Sequence, residues 1–520
     1  MFRRKIIFTA SVLILGALQL HAQLTPQYSY NALMFSSQYY DGTARSLAMG
    51  NAMTALGGDM GALSYNPAAS GVYRYSEFTL TPSVYSNLSH TAFLGERTSN
   101  NRSRFALSNL GWTGAFETGR TRGLLNLNFA ITANQTANFA YRSSGQGIQN
   151  GSSYLGYLAA SMPAIPGDQM TMPENYPERP FYNSSASWSQ ILGWNTGLLD
   201  TLVGYPDVFL GATENIDAQG NIAVPGALVQ DYFREKTGYV QDIVINASGN
   251  VDNIFFFGVS VTLQSIWLNE YTSITEKAGN PALFQTGFTD FTREYTLTTS
   301  GIGVDVSAGF IVRPVAGLTV GGSISTPNWM FLNEVWLESM NGNTVQYGYS
   351  KVDSPTGSYS YRVTSPFKWN LGVGYTVGNF LAIGVDYERT DYSDIFLSSR
   401  SGNRDEFAAD NELMASNFKA VNNIRAGIEA WPISCFAIRL GYNYYDTSEK
   451  HFDNSRHYAS AGLGYRSTSG FFIDMAYQQQ CNFNSNTFNL YDSYMDGMTA
   501  PVASEDYLNW KLVLTLGWRF

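Results

Sequence analysis

Apolar and polar residues alternate through most of the chain, most clearly at its carboxyl end. In segment 508–520 (LNWKLVLTLGWRF), every second residue from Leu508 to Phe520 is large and apolar. Alternation with period two predicts a β-strand with one apolar face and one polar face. A transmembrane strand needs ~9–11 tilted residues, and this segment is long enough. The pattern therefore favours the last strand of a membrane barrel over the last strand of a soluble β-sandwich.

The same alternation recurs upstream and predicts about fourteen strands in an antiparallel outer-membrane β-barrel. Short connections such as 118–122 alternate with long ones such as 92–104. Because short turns of such barrels face the periplasm and long loops face outward, both barrel ends are placed on the periplasmic side. The last strand is then expected to pair with the first and with its predecessor. The predicted strands are 77–91, 105–117, 123–141, 239–248, 253–267, 303–312, 318–324, 368–377, 380–388, 424–431, 436–445, 458–465, 471–482 and 508–520.

The amino terminus carries an export signal. Three basic residues, Arg3 to Lys5, precede an apolar run at 6–20, and Ala22 offers a cleavage site, which predicts a signal peptide over 1–22. No other apolar run reaches the ~18 residues of a transmembrane helix. The mature chain is therefore expected in the bacterial outer membrane as a closed barrel, the form in which strands satisfy their backbone groups in lipid.

Composition agrees with a barrel and excludes other classes. Aromatic residues make up 15% of the chain and charged residues 14%, while a net charge of −10 without basic clusters argues against nucleic acid. Cys435 and Cys481 are predicted near opposite ends of strands and are expected to stay unpaired. Apart from the predicted signal peptide, the histidines are His90, His451 and His457, and their spacing forms neither a catalytic triad nor a metal motif. No enzyme activity, metal or cofactor is expected.

Two regions do not fit a plain barrel. Residues 23–73, before the barrel at 74–520, are rich in Gly and Ala and are predicted to form a lumenal hatch with short helices. The second region is the outer loop 142–238, with apolar helix-like stretches at 154–162 and 188–203. Apolar surface on an outer loop indicates a binding or lipid-contact site. The alternative is that these helices pack on each other as a lid. The candidate ligand contacts in this loop are Trp188, Leu192 and Trp194.

Three basic side chains are predicted to point into the lumen: Arg425, Arg439 and Lys511. Arginine suits bidentate recognition of a carboxylate, so these residues are candidates for binding an acidic head group. Inward ionic ladders that stabilise a barrel lumen are the alternative explanation.

Several segments together resemble a known family. The glycine-rich segment 42–68, which ends in Asn66-Pro67-Ala68, is similar to the hatch of the outer-membrane long-chain fatty-acid and hydrophobic-compound transporters, the FadL/TodX type. The late strands, among them 301–312 and 424–445, resemble the same family. The resemblance implies a fourteen-stranded barrel closed by a hatch. It also implies passive uptake of hydrophobic solutes such as long-chain fatty acids, released laterally into the membrane. Gly50, Asn66, Pro67 and Ala68 match the hatch motif.

Two other functions stay open. A haemin- or metal-binding receptor would use the three histidines, and a structural or adhesive surface barrel would need no ligand. The expected partners are hydrophobic small molecules, outer-membrane lipid and, through the terminal strand, the barrel-assembly machinery. The barrel is expected to be monomeric.

Overall fold

The computed structural model describes residues 25–202, 204–217, 219–400, 406–495 and 497–520. The predicted signal peptide, 1–22, lies outside the described residues. No helix in the described part of the chain is long and apolar enough to cross a membrane.

Fourteen antiparallel strands close into a barrel. The last strand pairs with the first and with its predecessor, as predicted: Trp518 lies opposite Phe78, and Leu514 opposite Met475. The barrel strands are β1 (Glu77–Phe93), β2 (Glu96–Glu117), β3 (Leu124–Asn138), β4 (Leu228–Val251), β5 (Phe255–Ala278), β6 (Phe288–Val315), β7 (Leu318–Ser325), β8 (Lys368–Val377), β9 (Leu381–Asp391), β10 (Ala420–Ile433), β11 (Phe436–Tyr445), β12 (Arg456–Arg466), β13 (Phe471–Gln480) and β14 (Val502–Arg519).

Side chains alternate across the barrel wall as the sequence pattern requires. On β14, Leu512, Leu514 and Trp518 are exposed on the outer surface, whereas Lys511 and Thr515 are buried on the lumen side. A closed barrel with an apolar outer face and a polar interior is the architecture of bacterial outer-membrane proteins. The predicted fold class is confirmed.

The short connections all lie at one end of the barrel, where β1 begins and β14 ends. They are 118–123, 252–254, 316–317, 378–380, 434–435 and 467–470. By the same rule this end is periplasmic. Cys435 lies in one of these turns and Cys481 beyond the outer end of β13, and both are free, as predicted.

The predicted loop at 92–104 is wrong. β1 and β2 continue outward as a hairpin whose turn is Leu94-Gly95, both with positive φ (48° and 86°), as in two-residue hairpin turns. β5 likewise runs to Ala278, beyond the predicted end at residue 267. Outside the membrane a strand keeps its hydrogen-bonded neighbour but no longer needs an apolar face. The apolar alternation therefore stops before the strand does.

Further elements extend the barrel at its outer end or lie in the lumen and the outer loops. The other strands are Tyr141–Gln149, Leu199–Leu202, Tyr205–Gly211, Asn215–Ile216, Ile222–Ala223, Trp329–Thr344, Gly348–Asp353, Gly357–Thr364, Phe396–Ser399 and Asn484–Asn489. The α-helices are α1 (Thr25–Ser36), α2 (Ala44–Ala48), α3 (Tyr154–Ala160), α4 (Arg179–Asn183), α5 (Trp188–Asn195) and α6 (Ala408–Asn417). Short 3-10 helices lie at Gly61–Ser64, Pro67–Val72, Gly167–Gln169, Pro281–Leu283 and Tyr392–Asp394.

Residues 25–73, here called the hatch, fill the lumen. Most of this segment is buried, and its apolar residues pack with wall residues such as Ala130 and Val244. A second apolar cluster covers the outer mouth, where residues 150–227, here called the lid, pack against wall residues such as Phe291 and Met340. The barrel is thus filled by the hatch and covered by the lid.

Candidate functional site

The Asn66-Pro67-Ala68 motif begins a 3-10 helix of the hatch. The Asn66 side chain accepts a hydrogen bond from the backbone N–H of Ala68 (3.0 Å), and its Nδ2 donates to the carbonyl of Thr54 (2.6 Å). Pro67 occupies the first helical position, where a missing N–H costs nothing. The motif therefore fixes the local shape of the hatch.

Inward-facing glycines in the wall form the seat of the hatch. A Cβ added to Gly309 would lie 2.1 Å from Asn66 Oδ1, and one on Gly441 would lie 2.1 Å from the backbone nitrogen of Gly50. Gly50 itself has φ +59°, a conformation that favours glycine. The sequence analysis did not assign a role to these wall glycines. The sequence feature that could have revealed this seat is glycine at the lumen-facing positions of the alternating strands.

Inward-facing asparagines satisfy the hatch backbone. Asn134 donates to the carbonyl of Met60 (3.0 Å), Asn246 to that of Pro67 (2.9 Å), and Asn443 to that of Gly50 (2.8 Å). Buried backbone groups need such partners. The hatch therefore sits on polar side chains of the wall rather than on an apolar core alone.

The three predicted lumen cations are all in ion pairs. Arg439 contacts Glu429 (2.7 Å) and Asp474 (2.6 Å), and Arg425 contacts Glu388 (3.0 Å). The ion pairs around Arg439 extend to the hatch, because Arg45 of the hatch also pairs with Glu429, at 2.7 Å. Lys511 pairs with Asp41, another residue of the hatch. These residues are brought together as links between hatch and wall. Their binding of a ligand carboxylate stays a prediction, and the contacts match the alternative of an ionic ladder.

Arg456 is a lumen cation that the sequence analysis did not single out. It begins β12 at the outer end of the barrel and is half-buried, and its guanidinium lies 4.6 Å from the centre of the Tyr39 ring. Tyr85, Tyr458 and Tyr507 are also near it. In the described part of the chain no carboxylate lies within 4.0 Å of Arg456, and its buried Nε has no hydrogen-bond partner. The described residues therefore place no counter-charge in contact with its guanidinium.

The three predicted contacts of the lid pack within the lid or against the wall. Leu192 is fully buried, the Trp188 indole donates to the carbonyl of Phe181 (2.9 Å), and the Trp194 indole donates to Thr171 Oγ1 (3.0 Å). Trp188 also packs against Trp336 of the outer wall, with ring centres 5.4 Å apart. The arrangement fits the lid interpretation, and a role in ligand contact stays a prediction.

Two buried carboxylates lie in or beside the lid, outside the membrane-spanning segments. Glu276 accepts hydrogen bonds from the Tyr154 backbone N–H (2.7 Å), Ser153 Oγ (2.7 Å) and Gln230 Nε2 (2.6 Å). Burial nevertheless raises the pKa of Glu276 to about 7, and burial also raises the pKa of Glu214 to about 7. The Glu276 carboxyl, whose pKa is about 7, thus connects the start of α3 to the wall.

The wall has a gap between β2 and β3. β2 pairs with β3 only over residues 109–117, although its pairing with β1 runs from Glu96 to Thr113. Beyond Asn134, β3 and its continuation Tyr141–Gln149 stay paired with β4. Among the described strands, residues 96–108 of β2 therefore have no backbone partner on that side, which leaves a gap in the strand pairing of the outer half of the wall.

Two arginines of β2 reach across this gap. Arg102 forms an ion pair with Glu235 of β4 (3.0 Å), and Arg104 donates to the carbonyl of Gly238 (2.8 Å). Asn100 Nδ2 also donates to Ser144 Oγ (3.1 Å) in the continuation of β3. Side chains rather than a backbone ladder thus hold the two edges together.

The histidines do not form a metal centre in the part of the chain that is described. His90 bonds to Ser99 Oγ (2.8 Å) and His457 to the Tyr442 hydroxyl (2.6 Å), both on the outer side of the wall. Within the described ranges, no group of three or more His, Cys, Asp or Glu is arranged to hold a metal ion.

The fold of this chain is similar to that of several solved outer-membrane proteins. No protein-family model and no curated protein matches the chain. Among solved structures, a FadL homologue of Pseudomonas aeruginosa is 14% identical, with a TM-score of 0.53 over 93% of this chain and 99% of that one. The toluene transporter TodX of Pseudomonas putida is 12% identical (TM-score 0.48; 93% and 99% covered). The Ralstonia pickettii toluene transporter TbuX is 13% identical (0.45; 92% and 98%). The chain therefore has the fold of the FadL-type outer-membrane barrels, as the sequence resemblance implied.

Proposed function

We propose that this protein is a passive, non-enzymatic channel through which hydrophobic solutes cross the outer membrane. The observation that carries the proposal is the gap in the pairing of β2 with β3, in a barrel wall that surrounds a filled lumen. A strand edge without a neighbour is costly in a membrane, because lipid offers no hydrogen bonds. A lateral passage for solutes is a reason for such a gap to exist. The solved structures of similar fold include proteins described as toluene transporters.

The route runs from the outer mouth to the wall. A solute is held by apolar groups at the mouth, where each Å² of apolar area removed from water contributes ~25 cal/mol. The hatch fills the lumen below, so straight passage into the periplasm is blocked. Sideways exit through the gap delivers the solute to the membrane without exposing it to water. The proposal includes a monomeric barrel that is inserted by the assembly machinery through β14.

A disulfide across the gap tests lateral exit. Asn100→Cys with Ser144→Cys joins the two edges whose side chains are already 3.1 Å apart. The control pair, Asn269→Cys with Thr298→Cys, joins residues already opposite each other on β5 and β6. Both pairs are made with Cys435 and Cys481 replaced by Ser.

Uptake of a fluorescent fatty acid is then measured in liposomes that contain the protein. We expect oxidation of the gap pair to slow uptake and reductant to restore it, while the control pair transports in both states. Equal transport by the oxidised and reduced gap pair would refute lateral exit. Absence of uptake by the wild-type protein would refute the channel itself.

We further propose that the solutes are carboxylates such as long-chain fatty acids, because Arg456 offers a cation in the outer lumen that has no ion-pair partner in the described ranges. A hydrogen bond to a charged group contributes about 1.5–3 kcal/mol, which corresponds to about ten- to a hundredfold in affinity. Arg456→Gln should weaken oleate binding by that factor and leave toluene binding unchanged. Arg466→Gln is the matched control: Arg466 ends the same strand, has no carboxylate within 4.0 Å among the described residues and stacks on Trp431 at 4.3 Å. Unaltered oleate affinity in the Arg456 variant would refute the carboxylate assignment.

A further inference from the structure

A polar cavity lies behind a second irregularity of the wall. β7 ends at Ser325 and resumes as Trp329–Thr344, and β8 is likewise separated from the preceding strand, Gly357–Thr364. Pro327 and Pro366 lie in these two interruptions, and proline lacks the N–H that a strand ladder needs. The interruptions lie side by side, since Ser325 is opposite Lys368 and Trp329 opposite Thr364.

The cavity is lined by the hatch, the inner wall and the interrupted segments. Its polar lining includes Ser36 of the hatch, Asp242 of β4, Thr262 of β5, Asp305 of β6, Asn328 and Lys368. Both aspartates are buried, with exposed fractions of 2% and 9%. Neither is in an ion pair with a residue of the described ranges.

Each aspartate is held by neutral donors. Asp242 accepts from Gln264 Nε2 (3.0 Å) and Thr136 Oγ1 (3.4 Å), and Asp305 accepts from Asn328 Nδ2 (3.1 Å) and lies beside the hydroxyl of Thr262. The amide groups thus direct their N–H donors to the carboxylates.

The same arrangement leaves oxygen acceptors without donors. Asn328, only 6% exposed, has an Oδ1 atom without a hydrogen-bond partner among the described residues. In the same described ranges, Gln264 Oε1 is also buried without a partner, and so is Ser36 Oγ from the hatch. Buried polar atoms are normally paired, so a surplus of acceptors beside two carboxylates indicates that a cation belongs there.

The nearest positive charge is already engaged elsewhere. Lys368 donates to the hydroxyl of Tyr40 (2.7 Å) and to Gln38, and it lies more than 4.0 Å from both aspartates. Glu388, which also lines the cavity, is neutralised by Arg425 at 3.0 Å. With the two aspartates against one lysine, the described lining of the cavity carries one formal negative charge more than it compensates.

We propose that this cavity binds a divalent cation, Ca²⁺, through oxygen ligands of Asp242, Asp305, Asn328 and Ser36. Calcium takes six to eight oxygen ligands from carboxylates, amide carbonyls and water, and it tolerates irregular geometry. Two carboxylates with neutral oxygens and water form such a set, without a third acidic residue. Because Ser36 belongs to the hatch and the other ligands to the wall, the ion ties the hatch to the wall where the wall is irregular.

Terbium luminescence of the detergent-purified full chain tests the site. Tb³⁺ replaces Ca²⁺ at oxygen sites, and Tyr392, which lines the cavity, can transfer excitation to it. We expect one saturable Tb³⁺ site per chain, displaced by Ca²⁺, in the wild-type protein. D242N/D305N should lose this signal. D207N, which removes an exposed carboxylate of the lid, should keep it.

A second measurement separates binding from folding. Millimolar Ca²⁺ should raise the thermal unfolding temperature of the wild-type protein and of D207N, but not that of D242N/D305N. The proposal fails if the wild-type protein shows no Ca²⁺-displaceable signal, or if the folded double variant binds as well as wild type. Because both experiments measure ion binding by purified protein, their outcome is independent of the transport proposed above.

Discussion

Replacing Gly441 by Ala should displace the hatch from its seat. The added Cβ would lie 2.1 Å from the nitrogen of Gly50 and 2.6 Å from the carbonyl carbon of Met49, whereas ordinary contact begins at 3.4 Å. Backbone atoms cannot rotate away as a side chain can. The hatch must therefore retreat by about 1.3 Å, the difference between 3.4 and 2.1 Å.

The retreat has an energetic consequence that can be estimated. A shift of this size stretches the 2.8 Å hydrogen bond from Asn443 to the Gly50 carbonyl beyond bonding distance. Loss of one such bond costs about 1 kcal/mol. Overpacking a close contact costs about 1–3 kcal/mol. The free energy of unfolding should therefore fall by about 2–4 kcal/mol in total.

Denaturant titration of the protein in lipid vesicles, followed by tryptophan fluorescence, measures this loss, and bilayer conductance reports leakage past a displaced hatch. Gly226→Ala is the control, because the atoms nearest to its Cβ would belong not to the backbone but to the side chains of Leu283, at 3.0 Å, and Phe284, at 3.5 Å. We expect G441A to unfold at lower denaturant concentration and to conduct more than G226A. If G441A matched G226A in both measurements, the view that the glycines form a close-fitting seat would be refuted.

Three further predictions concern the ion pairs, the lid and the topology. D474N removes one partner of the buried Arg439 and should lower the free energy of unfolding by about 3–5 kcal/mol in the same titration. Because the pKa of Glu276 is raised from 4.5 to about 7 in the folded lid, the lid should lose stability as pH rises through this window. A protease should therefore cleave the lid faster at pH 8 than at pH 5, and E276Q should reduce this difference while Glu214, with a pKa also raised to about 7, keeps its own share. Finally, a membrane-impermeant maleimide should label the exposed Cys481 on intact cells but not Cys435 in its periplasmic turn; labelling of Cys435 alone would reverse the topology.

Much of the barrel could be predicted because the alternation of apolar and polar residues within each strand identifies its two faces. The terminal strand shows this best, since Leu514 and Thr515 point to opposite sides as their positions in the alternation require. Strand ends were less predictable. Beyond the membrane, pairs such as His90 and Ser99 continue the ladder without any apolar signal.

The candidate site could be predicted only in part. Arg425, Arg439 and Lys511 were placed correctly on the lumen face, since inward orientation follows from alternation. Their partners could not be predicted, because Asp41 is separated from Lys511 by 470 positions in the sequence. The role of Arg456 could not be predicted either, because it depends on which residues folding brings near it. A lone arginine in a sequence gives no sign that folding will leave it without a carboxylate.

The sequence by itself determined the strand type, the inward and outward faces and the sidedness of the barrel, because these depend on neighbouring residues and on the length of the connections. The tertiary structure alone decided where the wall is incomplete and how the hatch is seated. The gap beside β2 arises because the outer part of β3 pairs with β4 and not with β2. Nothing in the sequence of β2 indicates that it lacks this neighbour. Likewise, the space for a side chain at Gly441 is lost only when Gly50, far away in the chain, is brought against it. Contacts of this kind arise from the closure of the whole barrel around its hatch, so only the folded chain displays them.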